Sequence, residues 1–269
     1  MLKIVLTVLA LFVSGAAKAV SPENCPETVR VTFMDMPAPP FVNGSGQRFE
    51  ESPGYFVGWI KAGIAASGCK VKLLLSRRPI RRAYRELESD EVDFIGTATP
   101  TDEHRSAAVF PMLQDGSINV NLSYFASETS LWVRKGEKGF RWNGQSLVGP
   151  IGFKVGVASG TMLETIAKEN GWPIEPAMSG ENSIVMLLKR RTDIGLMPDA
   201  LAYSYMTNSD AKLEKLDPAV ATSYFYLAAG KQFYARYPKY TSAVWRAVCV
   251  AGHSEKILES TAMKKSVCK

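Results

Sequence analysis

The chain has 269 residues, of which 46% are hydrophobic and 22% charged, with a formal net charge of +6. That is enough apolar material for one large domain or two smaller ones, and it excludes a disordered chain. The Lys and Arg residues are spread along the sequence rather than gathered into a basic tract, so nucleic acid is not an expected partner. The one local cluster, over 77–85, reads as the solvated face of a helix.

Residues 1–19 carry an early Lys3, an apolar run over 4–13 and small residues ending in Ala17-Lys18-Ala19, the pattern of a cleavable secretory signal. No other stretch approaches the roughly 20 apolar residues of a membrane span. Export to the periplasm is the expectation, and loss of Lys3 and Lys18 with the signal lowers the net charge to +4. Pro22, Glu23 and Asn24 ahead of Cys25 do not form a lipoprotein cleavage box, so no lipid anchor is expected. The four cysteines, at positions 25, 69, 249 and 268, then point to disulfides. Cys25 precedes the first expected strand and Cys69 lies between the first helix and the second strand, points that meet at one edge of a parallel βαβ unit. This pairs Cys25 with Cys69 and, by remainder, Cys249 with Cys268. No two cysteines have the short spacing of zinc ligands and His104 and His253 are the only histidines, so neither a metal nor a cofactor is expected.

In chain order, the β-branched run over 29–34 predicts a strand, followed by a long Pro- and Gly-rich loop. A helix is predicted over 55–66, closed by Gly68, and a strand over 70–75. Ile80, Ala83, Tyr84 and Leu87 fall at helical spacing, leaving Arg81, Arg82, Arg85 and Glu86 for solvent. Val92, Phe94 and Ile95 predict a buried strand, and the polar segment 97–105 at its carboxyl end is where open α/β sheets bind ligands. Strand-like alternation follows over 117–126 and 131–133. A second α/β unit has strands over 153–158 and 193–197 with helices over 160–170, 180–190 and 199–206. A strand over 222–228 and helices over 238–250 and 254–263 complete the chain.

Several of these segments carry a family resemblance: PAPPFVNG, GYFVGWIKAGIAASG, RRAYRELESDEVDFIGTATPTDEHRSAAVFPM and FKVGVASGTMLETIAKENG. The chain resembles the extracytoplasmic solute-binding proteins of ABC transporters, the family 3 type that includes polar amino acid binders. The resemblance implies an α/β fold with two lobes, each a mixed sheet flanked by helices, joined by two crossing strands. Placing the crossings near 118–125 and 222–227 makes 20–118 and 226–269 a discontinuous first lobe and 119–225 the second. It further implies a monomer that captures a small polar solute, amino acid-like or an organic anion, and delivers it to a membrane permease. The alternatives are a sensor that reports to a membrane partner and a periplasmic dehydratase on the same scaffold, for which Glu103 and Glu164 are the available acids. No nucleophile elbow, HExxH or phosphate loop is present, and a non-enzymatic role is expected.

Candidate ligand groups follow from the chemistry of strand ends and helix starts. Ser159 and Thr161 flank Gly160 at a helix start, where backbone N–H groups lack partners. Phe41 and Tyr55 flank the proline-rich loop and offer rings to enclose a ligand. Thr97 and Thr99 offer hydroxyls at a strand end. The family's amino acid binders hold the ligand carboxylate with an Arg and its amino group with an acid. Here His104 stands at the Arg position, with Arg105 one residue later, and Pro198 stands at the acid position, with Asp199 one residue later. Arg105 suits an anion through its planar fork, His104 is a donor sensitive to pH, and Asp199 is the second-lobe acid.

Overall fold

The computed structural model describes residues 25–36, 38–253 and 268. The expected export signal over 1–19 and the helix expected over 254–263 lie outside the described residues.

The first βαβ unit forms as its apolar pattern dictates. β1 (Thr28–Met34) buries Val29, Val31 and Phe33, and pairs in parallel with β4 (Lys72–Arg78) on one side and β5 (Phe94–Ala98) on the other. Between β1 and β4 lie a short hairpin, β2 (Gly44–Ser45) and β3 (Arg48–Phe49), and helix α1 (Tyr55–Ala65). α2 (Ile80–Glu88) connects β4 to β5. Thr28 stands opposite Lys72 in the β1–β4 register, which brings Cys25 and Cys69 together. The disulfide joins them with Cα atoms 5.6 Å apart, and Cys249 is joined to Cys268 over the same distance. Such bridges typically contribute about 2–4 kcal/mol each.

After β5 come α3 (Asp102–Ala107) and β6 (Ala108–Val109), then a 3-10 turn, Val120–Leu122. The turn replaces most of the strand expected over 117–126. The Asn119 side chain accepts from the Asn121 N–H at 3.1 Å and the Ser123 hydroxyl donates to the Val120 carbonyl at 2.8 Å, local bonds that compete with a sheet ladder. β7 (Phe125–Arg134) follows, then a hairpin of β8 (Arg141–Trp142) and β9 (Leu147–Val148). The second α/β unit comprises β10 (Val155–Ala158), α4 (Met162–Glu169), β11 (Ile174–Ala177), α5 (Gly180–Leu188), β12 (Ile194–Pro198) and α6 (Asp199–Thr207). β11 carries no apolar alternation and contains Pro176, which it tolerates as an edge strand. β13 (Leu213–Gly230), α7 (Lys231–Arg236) and α8 (Pro238–His253) finish the described chain.

The strands form one curled mixed sheet in the order β11-β10-β12-β7-β13-β5-β1-β4, with β6 pairing β13. β13 is the shared element: Leu213 to Phe225 pairs antiparallel with β7, and from Tyr226 onward the strand pairs with β5 and β6. The strand expected over 222–228 is only its end. Its first part is polar and half-exposed, so the β7 ladder holds it in place where apolar alternation does not. One apolar core packs α1 and α8 over β1, and two others lie beside the second unit's strands.

Two charged residues depart from the reading of 77–85 as a solvated face and of Glu86 as a solvent-side residue. Glu86 is 7% exposed and accepts from Arg78 and Arg82. Arg77 is fully buried on β4. Its guanidinium donates to the carbonyls of Met34 (3.3 Å), Asp35 (3.0 Å), Met36 (3.1 Å) and Arg48 (2.9 Å). A buried charge is tolerable when its donors find acceptors, and four carbonyls converge on this one. Gly44 makes room for it: a Cβ there would lie 2.0 Å from an Arg77 nitrogen, and its φ of 140° suits glycine.

Candidate functional site

A cavity of about 660 Å³ lies at the carboxyl ends of β1, β5 and β12, beside the crossing of β7 and β13. Met34, Met36, the loop 38–42, Phe56 and Thr97 line it from the first unit. Ser127, Glu181, Pro198, Ala200, Leu201, Ser204 and Asn208 line it from the second. Phe125 and Phe225, opposite each other in the β7–β13 register, lie between the two groups.

Local bonding explains the first wall. The proline-rich loop caps α1, because the N–H groups of Tyr55 and Phe56 donate to the carbonyls of Pro40 (3.1 Å) and Phe41 (3.0 Å). Gly54, with φ of 99°, permits the approach, since a Cβ there would sit 2.5 Å from the Phe41 carbonyl oxygen. The half-buried Phe41 ring is thereby held 4.8 Å from Phe56 and 4.7 Å from Phe125, centroid to centroid. Phe56 and Phe125 are 4.9 Å apart and Phe125 and Phe225 5.5 Å, so four rings form one continuous apolar surface. Arg77 pins the carbonyls of residues 34–36 from behind, which places Met34 and Met36 on the wall. At the end of β5 the Tyr124 hydroxyl donates to the Gly96 carbonyl. Thr97 follows, 6% exposed, its hydroxyl without a hydrogen-bond partner among the described residues. An unpaired buried hydroxyl costs free energy unless something else bonds it.

The structure brings Phe41 and Thr97 together in this cavity and places the other candidates elsewhere. Tyr55 lies at the start of α1, its ring 6.0 Å from Trp59 and outside the lining. Thr101 caps α3 by accepting from the His104 N–H at 3.2 Å, and the resulting helical turn carries His104 toward α2. There its ring stacks on Tyr84 with centroids 4.3 Å apart, and Nδ1 lies 2.8 Å from the Thr99 carbonyl oxygen. Nδ1 is therefore the protonated nitrogen that donates. His104 thus belongs to a different cavity, shared with Arg81, Arg85, Glu88 and Glu103. Burial, reinforced by Glu103, pushes the Tyr84 hydroxyl well above its ordinary range. Arg105 is exposed on α3 and, like Thr99, is not part of the first cavity.

Ser159 and Thr161 flank a helix start whose side chains bond locally. Glu164 accepts from the Gly160 N–H at 2.7 Å, and the Thr161 hydroxyl donates to the Ala158 carbonyl at 2.7 Å. Ser159 is exposed. Lys168, 2.7 Å away, together with the Gly160 N–H, holds the Glu164 carboxyl below its ordinary value.

Asp199 is 3% exposed and sits between two cavity residues without lining the cavity itself. Its carboxylate accepts from the Trp132 indole at 3.3 Å and the Lys215 ammonium at 3.2 Å. Lys215 also reaches Glu128 at 3.3 Å and Asp217 at 3.2 Å. Burial raises the Asp199 carboxyl above its ordinary value, against the opposing bonds from Lys215 and Trp132. Burial alone would lower Lys215, but the surrounding carboxylates, Asp199 foremost, outweigh it and hold the ammonium well above its ordinary range.

Sequence reasoning did not find Met34, Met36, Phe56, Phe125, Phe225 or Glu181 as lining residues, nor Arg77 as their support. The signal for Glu181 was its place in the helix start SGEN after a strand, a pattern noted only as a helix.

No family model matches the chain, and no curated protein does. Among solved structures it is similar to an ancestral arginine-binding protein bound to arginine, at 21% identity and a TM-score of 0.52 over 81% of this chain and 91% of that one. It is also similar to the L-cystine solute receptor of Neisseria gonorrhoeae in its unliganded open conformation, at 14% identity and a TM-score of 0.62 over 89% and 94%. The BvgS periplasmic domain of B. pertussis matches at 17% identity and a TM-score of 0.64, over 82% of this chain but 40% of that one. The chain therefore has the two-lobed fold of the type II periplasmic solute-binding proteins.

Proposed function

We propose that the chain is a solute receptor of the periplasm that captures a small molecule between its lobes, closes on it and delivers it to an ABC permease. The observation that carries this reading is the origin of the cavity lining, which comes from both units. A ligand that touches Phe41 or Thr97 on one side and Leu201 or Ser204 on the other binds a closed form better than an open one. That difference in affinity is what shifts the population. The better overlay on the open cystine receptor than on the arginine-bound protein supports a cleft that stands open here. The lobes are 20–118 with 226–269, and 119–225. The β13 register supports this division, since the strand leaves β7 after Phe225 and joins β5 at Tyr226. The two disulfides fit an oxidising compartment, and no described helix is long and apolar enough to cross a membrane.

The test is thermal unfolding of ligand-stripped protein against amino acids, organic acids, amines and sugars. A solute at about 100 times its Kd adds roughly 2.7 kcal/mol of stability. Ser127→Trp, which fills the cavity, removes that gain. The reading fails if no solute in any class stabilises the protein. A second reading, solute sensing, draws on the overlay with the BvgS domain. The two part in cells: loss of a transport receptor abolishes uptake of the solute, whereas loss of a sensor leaves uptake intact and alters a downstream response.

A further inference from the structure

We infer that the solute is an organic cation: an apolar, phenyl-sized body carrying one amine or quaternary ammonium group and no carboxylate. The inference rests on the cavity being the solute site, and it names the ligand class from the charges that reach that site. Glu181 is the one ionisable side chain among the described lining residues, and no Lys, Arg or His joins it there. It also lines a smaller adjoining cavity of about 360 Å³.

An acid in the first turn of a helix is often no more than a partner for the helix dipole. Glu181 differs in where the nearby cations are spent. The Arg77 guanidinium is consumed by four carbonyls behind the first wall, and the Lys215 ammonium by the carboxylates behind the second. The cavity is thus left with one acid, aromatic faces, the neutral polar side chains of Ser127, Ser204 and Asn208, and the unpaired Thr97 hydroxyl. A ligand carboxylate placed here would lie near Glu181, exposed at the rim, and meet no cationic side chain in the described lining. An ammonium gains the Glu181 charge and the negative faces of Phe41, Phe125 and Phe225, and the hydroxyl offers a further acceptor. The volume suits a compact body with an aromatic ring.

The test uses four probes with one phenyl body: 2-phenylethylamine, 2-phenylethanol, 3-phenylpropionate and phenylalanine, titrated calorimetrically into the full-length protein. The amine binds at least tenfold tighter than the two carboxylate-bearing probes, and its affinity falls as salt rises. Glu181→Gln weakens the amine at least tenfold and leaves 2-phenylethanol within twofold, which separates charge recognition from damage to the fold. The cation assignment is overturned if 3-phenylpropionate or phenylalanine binds as well as the amine, if the amine does not bind, or if Glu181→Gln leaves its affinity unchanged. Should a carboxylate or sugar bind and Ser127→Trp abolish it, the receptor reading stands and only the cation assignment falls. Should no probe and no solute of the wider screen bind, both fall together.

Discussion

Pro198 and Ala200 line the cavity, while Asp199 between them is bonded to Trp132 and Lys215 in a partly buried ion cluster. The same stretch of chain therefore builds two unlike regions. In the cluster, Glu128, Asp199 and Asp217 surround one ammonium. In the cavity, hydrocarbon and aromatic rings surround one unpaired hydroxyl and one acid at the rim. Arg77 repeats the pattern in the first unit, a buried cation whose donors are taken up by backbone behind the wall. Charge in this protein supports the site from outside it, and inside it the Thr97 hydroxyl is left without a partner among the described residues.

The contrast can be broken most forcefully at its supports. Arg77→Met leaves four carbonyls without their buried donor and should cost about 3–5 kcal/mol in urea unfolding. A loss below about 1 kcal/mol would show that the 34–36 segment is held by something else. Lys215→Met strands the acids of the second support, at an expected cost of about 2–3 kcal/mol at pH 7. Because the folded protein holds this ammonium above its ordinary 10.5, its contribution is whole below that pH and is lost as pH rises through the raised value. A variant equally destabilised at pH 7 and well above the raised value would contradict the cluster.

Inside the cavity the sign reverses. Thr97→Val removes an unpaired buried hydroxyl at constant shape and should raise stability by about 1 kcal/mol while weakening solute binding. If stability falls instead, the hydroxyl has a partner in solution and is not free to bond a solute. The smallest effect is expected at Glu164→Gln, in the first turn of α4, where the carboxylate bonds the Gly160 N–H and Lys168. The carboxyl is held below its ordinary 4.5, so its contribution is present above that pH and lost as pH falls through the lowered value. Melting curves of the variant and the parent should differ slightly at pH 7 and converge in acid, and a difference that persists unchanged at low pH would argue against those bonds.

How much was legible varied with the range of the interactions. Helices α1, α2, α5 and α6 lie within about two residues of the positions their apolar spacing predicts, and both disulfides join the expected cysteines. The cap at Thr101 was written in Thr101-Asp102-Glu103, yet its consequence, the turning of His104 onto Tyr84, was not. A helix rotates by about 100° per residue, so one turn of α3 decides whether a side chain faces the cavity or α2. Arg77 was unreadable for another reason. Its acceptors come from segments that end about 30 and 40 residues earlier, and a lone Arg beside a basic helix start looks solvated until those carbonyls converge on it.

Taken alone, the sequence determined the α/β class, the main helices with the strands beside them, and the cysteine partners, because periodicity and strand edges are local properties. Only the tertiary structure decided which charges are spent behind the walls and which groups face the cavity. That outcome depends on where distant backbone acceptors and carboxylates lie, and no spacing along the chain encodes it.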